Sequence, residues 1–133
     1  PFNPLPLLRL AFACAGEGAP DGLPNRYATG TILRHVWQGG GADALDPARL
    51  QALVEQLQPP QAPDSDGVKQ RLRQSTDAAL ALGVFGVPAF RVDERLFWGQ
   101  DALPMLRAYL AGDPWFDGPD WDAAASVAQG LRR

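Results

Sequence analysis

Apolar residues run along this chain in blocks whose spacing changes from helical to extended and back to helical. From Leu5 to Ala15 they are dense, with Arg9 the one charge, and Pro4 and Pro6 stand where a first turn tolerates proline, so the block predicts a helix. A turn-rich connector, Gly16–Asn25, leads to a second predicted helix. It is capped by Asn25 and runs from Arg26 to about Gln38, with Tyr27, Thr31, Val36 and Trp37 among its buried candidates. Gly39–Asp46 ends it. Asp46-Pro47 then marks a helix start: the carboxylate accepts a first-turn N–H, and proline at the first helical position gives up no intrahelical bond. Leu50, Leu53, Val54 and Leu57 carry that helix forward at the 3.6-residue period.

The Pro-rich linker Gln58–Gly67 precedes an amphipathic helix from Val68 to Leu82. Val68, Leu72, Thr76, Ala79 and Leu80 line one side of it, Lys69, Arg73 and Asp77 face solvent, and Gly83 closes it. The period then shortens. Pro88–Val92 and Leu96–Trp98 read as two short strands around a hairpin connection. Asp101 caps a helix from Ala102 to about Ala111, with Pro104 harmless in its first turn. Gly112–Asp122 is a loop with two tryptophans, and Ala123–Leu131 predicts a short final helix. The order is α+β and mostly helical, divided as residues 1–82, 83–112 and 113–133.

Composition narrows the partners. With 133 residues, 46% hydrophobic and 20% charged, the chain suits one ordinary globular domain, and a net charge of -3 without a basic cluster argues against nucleic acid. Its single cysteine, Cys14, excludes an intrachain disulfide, a CxxC pair and a thiolate zinc site, which points to a reducing, cytoplasmic setting. No apolar run approaches the roughly 18 residues of a membrane span, so no membrane partner is expected. The chain begins without Met in a Pro-punctuated segment, which reads as the interior of a longer protein.

Several candidate chemistries fall away. His35 reads as a partly buried helix histidine, and Cys14 has no cationic neighbour to activate it. Asp64 and Asp66 do not continue into a metal loop, so no metal is expected, and no hydrolase triad, zinc-protease or phosphate-loop motif occurs.

Gly86-Val87-Pro88 is different. Proline lacks the N–H that a strand ladder needs, and an X-Pro bond turns cis at modest cost. A cis bond there would present the Val87 N–H and carbonyl to a peptide ligand. After the second strand, Gly99-Gln100-Asp101 opens a helix whose N–H groups suit a carboxylate, while Asp101 either caps the helix or receives an ammonium group.

"LGVFGVPAFRVDERLFWGQDAL", Leu82–Leu103, closely resembles the C-terminal half of the thioredoxin-fold family that contains 2-hydroxychromene-2-carboxylate isomerases. More distant likenesses are kappa-class glutathione transferases and DsbA-type oxidoreductases. Pro1–Ala11 and Ile32–Leu53 resemble the family's helical insertion, and Phe97–Asp101 is the narrowest motif, pointing to the isomerase branch.

The resemblance implies the C-terminal β-β-α part of a thioredoxin fold with a helical insertion domain. It also implies glutathione as cofactor, with Val87 before a cis Pro88 pairing the cysteinyl portion and Gln100 and Asp101 holding the γ-glutamyl end. Asn3, Trp37 and Trp98 are the candidate wall of the substrate pocket. The implied reaction opens an aromatic 2-hydroxychromene-2-carboxylate by isomerisation, so the expected partner is a small aromatic carboxylate; homodimerisation stays open. The family's catalytic serine, cysteine in the DsbA relatives, and the first two strands of the sheet are expected upstream of Pro1, which would leave the strand at Pro88 with an unpaired side and this piece inactive. Glutathione transfer, dithiol exchange and a non-enzymatic helical binding role are the alternatives.

Overall fold

The computed structural model of the protein describes residues 3–16, 22–39 and 43–123. Within them the chain divides into two compact units, Pro1–Ala81 and Leu82–Arg133.

Helix α1 (Leu5–Ala13) is the hub of the first unit. Its start is ordered by Asn3, whose side-chain oxygen accepts the Leu5 N–H at 3.0 Å. Leu7 and Leu10 meet Ile32, Ala44 and Leu53 in one apolar cluster, and Phe12 and Ala13 meet Val68 in a second. One helix thus feeds two clusters, which suits a segment apolar on most of its circumference. Each such leucine contributes about 1.5–3 kcal/mol by leaving water.

Helix α2 (Arg26–Trp37) begins where Asn25 accepts the Ala28 N–H at 2.8 Å. Its buried stripe corrects the expected one: Ala28, Thr31 and Ile32 face inward, whereas Tyr27 is 60% and Trp37 78% exposed. At 3.6 residues per turn Trp37 lies about half a turn from that stripe, and α1 packs on the stripe. Helix α3 (Pro47–Leu57) is capped as expected, Asp46 accepting the Arg49 N–H at 3.0 Å. Helix α4 (Asp66–Ala81) starts two residues early; Val68 is buried and Leu72 half-buried, but Thr76 and Leu80 are exposed.

In the second unit β1 (Ala89–Val92) pairs antiparallel with β2 (Arg95–Trp98), Ala89 opposite Trp98 and Val92 opposite Arg95. The two-residue turn places Asp93 at φ 53, a left-handed conformation in which Asp is among the better tolerated residues. Arg95 joins β2 and Pro88 stays outside β1, small shifts from the expected strand ends. Among the described residues no strand adjoins the second edge of β1.

Helix α5 (Leu103–Leu110), a 3-10 turn (Pro114–Asp117) and α6 (Asp120–Ala123) complete the unit. Its centre is Phe97, 1% exposed, with the rings of Tyr109, Phe116 and Trp121 at 5.6, 6.3 and 5.1 Å. The expected loop Gly112–Asp122 is therefore largely a 3-10 turn and the start of α6. The rest of the final predicted helix lies outside the described residues, as do residues 17–21 and 40–42 of the two connectors. No helix among the described residues is long and apolar enough to cross a membrane.

Candidate functional site

Hairpin pairing decides which sequence-predicted residues meet. The Gly99 N–H donates to the Pro88 carbonyl at 2.9 Å, one pair beyond the β1–β2 ladder, so Pro88 and Gly99 stand opposite each other. Val87, just before the one, and Gln100 and Asp101, just after the other, therefore share one end of the hairpin.

The Val87-Pro88 bond is cis. Val87 is 88% exposed, and neither its N–H nor its carbonyl enters a hydrogen bond among the described residues. One donor and one acceptor are thus open to an extended peptide.

Gly99 sits at φ +89, and a Cβ there would collide with Asp101 Oδ1. The carboxylate has folded back over the glycine. It does not cap α5, contrary to the sequence reading: the cap position belongs to Ala102, with no side-chain bond. Leu103 N–H is taken by the Gln100 carbonyl at 3.1 Å, and Pro104 has no N–H, so the first turn of α5 offers a carboxylate less than expected. Instead it is the exposed Asp101 carboxylate, acceptor only, that stands available to a cationic ligand group. Gln100 is exposed beside it and supplies both donor and acceptor.

Trp98 is half-exposed, and its indole Nε1 lies against Gly86 so closely that a Cβ at residue 86 would overlap it. Phe85 packs on the same indole, ring centroids 4.8 Å apart and tilted by 47°. Sequence reasoning passed over Phe85 and the need for glycine at position 86. The available signal was an aromatic residue two positions before the Val-Pro bond, in a stretch too short to be a core strand.

The other two pocket candidates belong to the first unit. Asn3 spends its side-chain oxygen on the start of α1. Trp37, with Leu7, Leu8, Ile32, Leu33 and Val36, lines an apolar groove of about 210 Å³ between α1 and α2. His35 Nε2 lies 2.9 Å from the Ala44 carbonyl, and Cys14 is half-buried, its thiol pKa pushed up by burial. Both serve the helical unit.

The family model described as DSBA-like thioredoxin domain matches residues 30–111, more than half of the chain. Over 50 residues the chain is 38% identical to the 2-hydroxychromene-2-carboxylate isomerase of Pseudomonas sp. (strain C18), which covers 38% of this chain and 24% of that protein. Over 38 residues it is 45% identical to the protein of that name from Sphingobium xenophagum, covering 29% of this chain and 20% of the other. The chain thus spans about a quarter of the length of these curated relatives or less. No solved structure matches it.

Proposed function

From the premise that this chain belongs to the DSBA-like thioredoxin domain family, and is similar over part of its length to 2-hydroxychromene-2-carboxylate isomerases, we propose that it serves a glutathione-dependent isomerisation of an aromatic carboxylate of that type. The observation that carries the proposal is the meeting of Val87 and Asp101 at one end of the hairpin, each exposed and with polar groups that no described residue engages.

The donor set fits glutathione. Its backbone around the cysteine needs one acceptor and one donor, which Val87 supplies. Its γ-glutamyl ammonium needs an anion, which Asp101 supplies, with Gln100 positioned to meet the adjoining carboxylate. A charge-assisted contact of this kind is worth about 1.5–3 kcal/mol, enough to fix which end of the tripeptide lies where.

When bound, glutathione supplies a thiol nucleophile that is regenerated in each turnover, which isomerisation about a carbon–carbon bond can use. The residues of this site bind and orient. Val87 holds the thiol-bearing residue by its backbone, Asp101 anchors the charged end, and Trp98 offers an apolar face to the second substrate. No residue of this chain is assigned the activation of the thiol.

The test is glutathione titration by calorimetry against the protein and its Asp101→Ala variant. Affinity is expected to fall at least tenfold, about 1.4 kcal/mol. A change within about twofold removes Asp101 from the site. Product analysis with the chromene carboxylate separates the readings of the chemistry: a rearranged product with glutathione returned supports isomerisation, whereas a stable glutathione conjugate supports transfer.

A further inference from the structure

The polar groups of the hairpin end account for a charged peptide, but they leave an aromatic surface beside it unused. Phe85 is 75% exposed although it is among the most apolar residues of the unit. Its ring is nonetheless held, because it packs on Trp98 with centroids 4.8 Å apart. Trp98 is held in turn, since its indole lies directly against the Gly86 backbone. The two rings therefore meet at Gly86, the neighbour in sequence of Val87, whose backbone no described residue engages.

We propose that Phe85, braced by Trp98, is the shelf on which the planar ring of an aromatic carboxylate rests, and hence a specificity-determining residue of the site. The proposal rests on the isomerase reading above and deepens it by naming what selects the second substrate.

Three features carry it. A pre-positioned ring loses little rotamer freedom when a ligand stacks on it, which favours binding to an exposed aromatic pair over binding to a loose side chain. Tilted, offset contact is the arrangement aromatic rings prefer, and a third ring extends it naturally. Charge is complementary as well. Ala89 faces Trp98 across the ladder, and Arg91 lies two residues further along β1 on the same face, roughly 7 Å away by strand geometry. The Arg91 guanidinium is exposed and, among the described residues, bridged to the exposed Glu94, at 2.9 and 3.0 Å, a pairing that a ligand carboxylate can replace.

The experiment uses 1-naphthoate, a planar aromatic carboxylate that does not react, and glutathione as separate titrants. Binding of each is followed by the Trp98 indole N–H resonance, assigned through Trp98→Phe, in the wild-type chain and in Phe85→Leu and Phe85→Ala. 1-Naphthoate is expected to move the Trp98 resonance. Its affinity should fall about tenfold in Phe85→Ala and by less in Phe85→Leu, which keeps apolar bulk without the flat face. Glutathione affinity should stay within twofold in Phe85→Leu.

Naphthoate affinity unchanged by both substitutions, or a Trp98 resonance that naphthoate leaves in place, overturns the shelf. So does an equal loss of glutathione affinity in Phe85→Leu, which would assign Phe85 to holding the Val87 loop. Failure of glutathione to bind the wild-type chain sinks the isomerase reading alone, because the naphthoate titration still decides the role of Phe85.

Discussion

Gly86 shows how much one hydrogen in place of a side chain can decide. The indole of Trp98 occupies the space a Cβ would need there, so the residue is fixed by a close approach of side chain to backbone. Gly86→Ala is expected to push the indole off the loop and to cost about 1–3 kcal/mol, as overpacking of a fitted contact does. The denaturation midpoint measures the cost, and a changed Phe85–Trp98 stacking should show in near-ultraviolet circular dichroism. An unchanged midpoint and spectrum would mean that the indole does not brace the loop. Asp101 teaches the complementary lesson. Sequence alone left open whether it caps a helix or meets a ligand; Gly99 at φ +89 turns the chain so that the carboxylate is free of the helix.

At the level of elements, the hairpin is too small to stand by itself, since two strands without a covering element are marginal in water. Its cover is the segment after α5. Arg95 on β2 donates to the Phe116 carbonyl at 2.7 Å and to Tyr109 Oη at 3.2 Å, while its guanidinium lies 4.9 Å from the Tyr109 ring centre. The Tyr109 hydroxyl donates in turn to Asp93 in the hairpin turn. Arg95 thereby ties turn, helix and 3-10 segment to one strand. Arg95→Met, which keeps the apolar stem, should lose about 1.5–3 kcal/mol, the usual worth of hydrogen bonds to a charged group. Limited proteolysis should then cut first between residues 110 and 123; cleavage unchanged from wild type would assign the hold on that segment to the rings around Phe97 alone.

On the scale of the whole molecule, the side of β1 that no described strand adjoins is the feature with the widest consequence. Pro88 and Gly99 form a hydrogen-bonded pair, so Phe90 with Phe97 and Val92 with Arg95 do too, and the N–H groups of Ala89 and Arg91 point away from β2. Amide hydrogen exchange on this chain is expected to be slow at Phe90 and Val92 and fast at Ala89 and Arg91. Equal protection at all four would report a further strand paired along β1.

Much of the architecture can be read without coordinates, and the reason is locality. Asn25 and Asp46 cap their helices through bonds to residues three positions on, Leu50 to Leu57 repeat at helical spacing, and a short connection joins two short strands, one residue tighter than the sequence suggested. Each depends on neighbours within a turn or two, so the sequence by itself determined where α1 to α5 and the hairpin lie, while the 3-10 turn and α6, held by rings around Phe97, read there as loop. It also named Val87, Gln100 and Asp101 as groups with something to offer a ligand. Burial is another matter, because it depends on residues far apart in the chain. Only the tertiary structure decided that Tyr27 and Trp37 face out, that α1 feeds two clusters, and that strand register sets Phe85 on Trp98, thirteen positions away, beside the open backbone of Val87.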